Sequence, residues 1–220
     1  MKRLLLPIVM MLSQNVSATD TASRLAEMGL VDIATMDSTI VVDLMYARDD
    51  NFTGVLLYDD LRQAYLHPKA AHALTKAQEE LHKSHPQWNL LVKDASRPMS
   101  VQRKMYRVVQ GTSKARYVSN PRNGGGLHNY GLAVDITIAD ENGKELPMGT
   151  PVDHLGPEAN IDRETSLVKR GIITEQERQN RLLLRRVMKA AGFTPLRTEW
   201  WHFNLVSRAT ARTHYRLIDF

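Results

Sequence analysis

The sequence predicts an α+β fold: a single domain with a mainly antiparallel sheet and helices packed on one side. Three observations carry that expectation. Leu132–Ile138 alternates Leu132, Val134, Ile136 and Ile138 against Ala133, Asp135 and Thr137, the pattern of a strand with one apolar and one partly polar face. Thr198–Val206, "TEWWHFNLV", is aromatic and branched enough for a second strand. Between them, Thr174–Ala191 has an acidic first turn, basic residues towards its end and Gly192 as a C-terminal stop, so it is expected to be a long helix. Strand runs separated by helices suit α+β architecture, and 220 residues make one sizeable core without requiring a second.

The other elements follow in order. Residues 1–18 read as an export signal: Lys2 and Arg3 form the charged start, Leu4–Leu12 the apolar segment, and Val16-Ser17-Ala18 the small-residue cleavage site. The mature domain is then 19–220, and a periplasmic or secreted location is expected. The apolar segment is too short to span a bilayer, so no stable membrane insertion is predicted. Thr39–Ala47, "TIVVDLMYA", reads as a strand and Asp49–Gly54 as a turn. Pro68–His85 has helical periodicity and stops before Pro86. Asn89–Ser96 reads as a strand, Met99–Gln110 as a helix stopped by Gly111, and Lys114–Asn123 as loop.

Composition excludes several classes. Charged residues make up 24% and hydrophobic residues 43%, too apolar for a disordered chain. The formal charge is +5, and two of the 29 basic residues lie in Met1–Ala18. The mild remaining excess, without a basic cluster interleaved with aromatics, predicts no nucleic-acid partner. The sequence has no Cys, which removes thiol nucleophiles, disulfides and a lipidated cysteine anchor. Any zinc must therefore sit on His, Asp or Glu.

"GGGLHNYGLAVDITI" (Gly124–Ile138) poses the chemical question. A carboxylate at Asp135 inside an apolar strand is costly unless it pairs with an Arg or binds a metal. His128 alone would more often be a surface or capping residue. His202, between Trp201 and Phe203, supplies a second imidazole, and two His with one carboxylate leave a position open for water, as catalytic zinc sites do. Gly131 and Ala133 leave room for the chain to bend the two arms together. Glu199 lies three positions before His202 and would face the opposite side of an ideal strand. It serves as general base only if it stands in the preceding turn or the strand is bulged; otherwise it is a solvated strand-end residue. Arg97 in "SRP" is either an ion-pair residue or the group that neutralises a developing oxyanion. Asp153 in "GTPVDH" could receive an ammonium group or simply form a turn. His67, His72, His82 and His85 are expected on a solvated helix face, Trp200 and Trp201 in the core, and His154 outside the chemistry.

"HNYGLAVD" followed by "EWWH" resembles the His-x6-Asp and Glu-x-x-His signature of the D-alanyl-D-alanine dipeptidase family of zinc peptidases. "DLMYARDDNFTG", "RP", "PMGTPVD", "NRLLLRRVMKAAGF" and "EWWHF" occur in the family's order, over roughly 41–203. The resemblance implies one Zn2+ per chain on His128, Asp135 and His202, with Glu199 as catalytic base and Arg97 as transition-state stabiliser. It also implies that Asp153 with Glu199 receives the amino group of a small dipeptide, and that Tyr46 lines the site. Gly126 stands where the family usually has Ser, two positions before the first His, and Asn129-Tyr130 replaces a small or basic pair, so substrate preference is expected to differ. The expected activity is zinc-dependent hydrolysis of D-Ala-D-Ala or related D-amino-acid dipeptides from the cell wall. Two alternatives are a D,D-carboxypeptidase or L,D-endopeptidase acting on larger peptidoglycan peptides, and a non-catalytic zinc-containing wall-binding domain that would not need Glu199.

Overall fold

The computed structural model describes residues 20–220, so the expected signal at 1–18 lies outside the described residues. Thr21–Glu27 (α1), Ile33–Met36 (α2) and a two-stranded antiparallel sheet of Val31–Asp32 (β1) with Tyr65–Leu66 (β3) cover one edge of the molecule. The main sheet has five strands in the order β2-β4-β5-β7-β6: Val41–Val42, Asn89–Asp94, Ala133–Ala139, Glu199–Asn204 and Thr194–Leu196. All pairings are antiparallel except β2 with β4. The strand expected over 39–47 is therefore reduced to two parallel residues, because Met45–Ala47 turns into a 3-10 helix and carries Tyr46 inward.

Pro68–His82 (α3) and Glu175–Ala190 (α6) pack on each other and on the sheet. α3 directs Ala70, Leu74, Ala77 and Leu81 inward, and α6 directs Leu184, Val187 and Met188; all are essentially buried. They meet the sheet face formed by Val134, Ile136, Ile138, Trp201 and Phe203. A stripe repeating every three to four residues on a helix against a period-two stripe on a strand is what that packing requires. α6 begins with a reciprocal cap: Thr174 Oγ1 accepts from Glu177 N and Glu177 Oε2 accepts from Thr174 N. Met99–Val109 (α4) ends one residue before the expected boundary. The expected loop 114–123 contains two 3-10 turns, Ser113–Tyr117 and Pro121–Asn123. Two short helices, Glu164–Lys169 (α5) and Arg208–His214 (α7), complete the chain. No helix among the described residues is long and apolar enough to cross a membrane.

Two features aim the other sheet face at a cleft. The β4–β5 register shifts between Val92 and Asp94, so Asp94, and not Lys93, stands opposite Asp135. α6 also holds the loop that bears Asp153: Asn180 donates to Pro147 O, and the fully buried Arg181 donates to Met148 O, Glu158 O and Thr150 Oγ1. A buried guanidinium with three oxygen partners on one loop fixes that loop's path.

Candidate active site

Tyr46, Arg97, His128, Asp135, Asp153, Glu199 and His202 all line one cleft of about 270 Å³. They come from the 3-10 turn after β2, the β4–α4 connection, the turn before β5, β5 itself, the Asp153 loop and β7. The antiparallel β5–β7 pairing sets Asp135 directly across from His202. His128 is delivered by the 3-10 turn Leu127–Tyr130, which closes on Gly131 at φ +66°. A Cβ on that glycine would come within 2.8 Å of the His67 backbone nitrogen, so the close approach needs glycine.

His128 Nε2, His202 Nδ1 and the Asp135 carboxylate converge. His128 Nε2 is 3.3 Å from His202 Nδ1 and 3.3 Å from Asp135 Oδ2, and His202 Nδ1 is 2.9 Å from Asp135 Oδ1. The outward ring nitrogens face acceptors: His128 Nδ1 lies 2.7 Å from Ala95 O, and His202 Nε2 lies 2.9 Å from Asn204 Oδ1. With a metal bound, each outward nitrogen would carry the hydrogen of the neutral ring and turn a lone pair inward. Two inward lone pairs and a carboxylate demand a cation. Zinc–nitrogen distances of about 2.0–2.1 Å place tetrahedral ligands roughly 3.3 Å apart, so the donor set fits zinc in spacing and in chemistry. Protein electrostatics carry the same sign. Burial raises the Asp135 pKa, but His128 and His202 more than offset it and hold it well below the usual carboxylate range. Burial lowers the His202 pKa, but Asp135 more than offsets it and lifts it to about 9.

Arg97 is buried, and its charge is held in place by Asp94. Its Nη2 donates to Asp94 Oδ2 at 2.5 Å and lies 4.0 Å from Asp135 Oδ2, while Nη1 donates to Gln102 Oε1 at 3.0 Å. Burial works against the guanidinium charge, but Asp94, Tyr46 and Tyr58 outweigh it and raise the pKa. The Asp135-to-Arg pairing considered from sequence is thus the minor contact, and Asp94 is the main partner. The Arg97 connection is stitched to the His128 turn: Arg97 N donates to His128 O, and Asn129 Nδ2 donates to Arg97 O.

Glu199 faces His202's side because the hairpin is irregular. Pro195 pairs with Phe203 and Leu196 with Glu199, so four steps on β7 oppose one on β6. The bulge alternative is the one that occurs, and Glu199 Oε2 lies 4.0 Å from His202 Nδ1. Burial is the largest influence on Glu199 and raises its pKa. Asp153 accepts from the Tyr46 hydroxyl at 2.7 Å and has no cationic partner among the described residues. Burial, followed by repulsion from Asp135, raises its pKa to about 8. It is also the only non-glycine among the described residues at positive φ, +63°, a strained conformation of the kind that concentrates at functional sites.

The remaining expectations resolve simply. Trp200 and Trp201 are core residues. His67 caps α3, His82 contacts Gln78, His85 stacks on Trp88, and His154 pairs with Glu158. Sequence reasoning missed Asp94, Asn129, Asn204, Gln102 and Ser119. Asp94 carried the signal that exposed Asp135, a carboxylate in an apolar run. Asn204 and Gln102 lie two and five positions from His202 and Arg97 but carry no distinguishing pattern, and Asn129 and Ser119 act through contacts distant in sequence.

The chain is similar to known proteins over most of its length. The family model described as D-ala-D-ala dipeptidase matches residues 26–219. The chain is 33% identical over 181 residues to the D-alanyl-D-alanine dipeptidase of Escherichia coli (strain K12), covering 82% of this chain and 86% of that protein. It is 30% identical over 192 residues to the D-alanyl-D-alanine dipeptidase of Streptomyces coelicolor, covering 79% and 89%. To the one from Enterococcus faecalis it is 27% identical over 188 residues, covering 79% and 89%.

Proposed function

The chain belongs to the D-Ala-D-Ala dipeptidase family of metallopeptidases, and from that premise we propose that it hydrolyses D-Ala-D-Ala or a related D-amino-acid dipeptide, with zinc on His128, Asp135 and His202. The observation that carries the reading is the convergence of those three donors with Glu199 beside them. A zinc ion held there supplies Lewis acidity toward water and toward a peptide carbonyl. Glu199 accepts a proton from the water as its oxygen attacks the carbonyl carbon. It then delivers the proton to the amide nitrogen as the carbon–nitrogen bond breaks. Its raised pKa suits both steps. The Arg97 guanidinium, held by Asp94, offsets charge developing on the carbonyl oxygen. Asp153, with Glu199, receives the free ammonium group, which explains a half-buried carboxylate without a cation of its own; Tyr46 lines the site and donates its hydroxyl hydrogen to Asp153.

The cleft's small volume favours a dipeptide over a longer substrate. One observation favours the larger-peptide reading: a neighbouring cavity of about 770 Å³ shares Tyr117, Ser119, Leu196, Glu199 and Arg208 with the cleft. Export to the periplasm or medium, with residues 1–18 removed, rests on the N-terminal sequence and is tested by sequencing the N-terminus of the secreted protein. For the activity, purified protein is incubated with D-Ala-D-Ala and with a muropeptide. Release of free D-Ala from the dipeptide, abolished by a chelator and restored by Zn2+, supports the proposal. Turnover that survives zinc removal, or cleavage of the muropeptide alone, sinks it.

A further inference from the structure

Resting on the dipeptide reading, we propose that Arg208, backed by Ser119, receives the free α-carboxylate of the substrate and so makes the enzyme selective for peptides that end there. The cleft contains two guanidinium groups, and among the described residues only one has a carboxylate partner. Arg97 is taken up by Asp94 and Gln102. Arg208, at the start of α7, has only neutral partners: its Nη2 donates to Gly125 O and to Ser119 Oγ at 3.3 Å. No carboxylate among the described residues lies within ion-pair distance of it. A dipeptide is a zwitterion, and a site with an unpaired carboxylate for its ammonium group needs an unpaired cation for its other end.

Position supports the same assignment. Arg208, Ser119 and Glu199 border both the cleft and the neighbouring cavity, whereas Tyr46 and Asp153 border only the cleft. Arg208 therefore stands at the seam, which Tyr46 and Asp153 do not border. A carboxylate on Arg208 would end the substrate at the seam and keep it out of the larger space. Ser119 is set for the same task. Its hydroxyl sits where a side chain at 126 would be, 2.7 Å from the position a Cβ on Gly126 would take. Its carbonyl accepts from Gln102 Nε2 at 2.8 Å, and the Gln102 Oε1 takes the Arg97 Nη1 hydrogen. The carboxylate receptor is thus tied rigidly to the group beside the reacting centre. Ser119 Oγ accepts from Arg208 and keeps its own hydrogen for a carboxylate oxygen.

The test compares D-Ala-D-Ala with its C-terminal amide in the zinc-loaded wild type, Arg208→Ala, Arg208→Lys and Ser119→Ala. The wild type is expected to favour the acid in kcat/KM by about tenfold or more, as a charge-assisted hydrogen bond gives. In Arg208→Ala the preference collapses towards unity, chiefly through a higher KM for the acid. Arg208→Lys retains part of it, since charge without the planar fork recognises a carboxylate less well. Ser119→Ala weakens it by a smaller factor. A preference that persists in Arg208→Ala, or equal slowing of both substrates, overturns the assignment. Equal cleavage of acid and amide by the wild type overturns it too, while leaving the dipeptide reading intact. A wild type that cleaves neither defeats that reading instead.

Discussion

His128 Nε2 stands 3.3 Å from His202 Nδ1 across 74 positions of the sequence, each ring turned by an acceptor behind it. If that turning is what makes the pair a metal chelate, its loss must show in affinity. Asn204→Ala removes the acceptor behind His202 and frees the ring to flip or change tautomer. Zinc affinity, measured by competition with a chromophoric chelator, is expected to fall about 10–100-fold, the usual cost of losing such a support. An unchanged affinity would mean that the ring is held by β7 alone.

Glu199 separates catalysis from metal binding. Glu199→Gln keeps the side chain's shape and removes the proton acceptor. Turnover of D-Ala-D-Ala is expected to fall by about 10²–10⁴-fold, while elemental analysis still gives one zinc per chain. If the variant keeps near-wild-type turnover, the general base lies elsewhere. A wild type that binds zinc and wall fragments without turning over any would instead favour the binding-domain reading, in which this carboxylate has no task.

Legibility in the sequence followed the range of the interactions. β5, β7 and α6 could be read because their patterns are local: alternation, aromatic clustering, and an acidic first turn with basic residues and a glycine stop at the other end. The His128, Asp135 and His202 cluster could be read because a carboxylate in an apolar run is costly and stands out. β2 could not, since "TIVVDLMYA" has strand composition throughout and only tertiary contacts decide that Met45–Ala47 turns inward. Gln102 and Ser119 were invisible for the same reason, and Asn129 was noted only as a departure from the family; their roles come from Arg97 and Arg208, which reach them only after folding.

Gly131 should be intolerant of even one methyl group. Its φ of +66° disfavours L side chains, and an added Cβ would sit 2.5 Å from Leu30 Cδ2 and 2.8 Å from the His67 nitrogen, which is backbone and cannot rotate away. Gly131→Ala is expected to cost at least about 2 kcal/mol, lowering Tm by roughly 4–8 °C in a chain of this size. A melt within a degree or two of wild type would refute the close approach.

Asp153 should trade stability for binding. Its pKa is raised to about 8 in the folded chain against an ordinary 3.8, so between those values the folded state binds the extra proton. Stability is therefore lost as pH climbs through that window, and levels off above about 8. In chelator-treated protein, Asp153→Asn is expected to be the more stable form near pH 8, on the order of 1 kcal/mol after allowing for solvent access. The advantage shrinks as pH falls towards 4. The zinc-loaded variant should bind dipeptide poorly, since an amide cannot pair with the ammonium group. Urea melts at several pH values decide the first claim; a variant advantage that grows towards acid pH reverses the sign and refutes it.

Gly126 and Ser119 should behave as one unit. Gly126 has φ −112°, which any residue adopts, so only space forbids a side chain there. An added Cβ would meet Ser119 Oγ at 2.7 Å and Ser119 Cβ at 3.2 Å. Gly126→Ser alone is expected to push Ser119 off Arg208 and raise KM for D-Ala-D-Ala. Ser119→Gly alone is expected to raise it by removing the hydroxyl. The double variant clears the clash and returns a hydroxyl to the same wall, so it should recover most of the loss. Its departure from additivity in a double-mutant cycle should exceed about 0.5 kcal/mol, the threshold for residues in contact. If the two single effects simply add, the hydroxyl at 119 does not occupy the space that a side chain at 126 would fill.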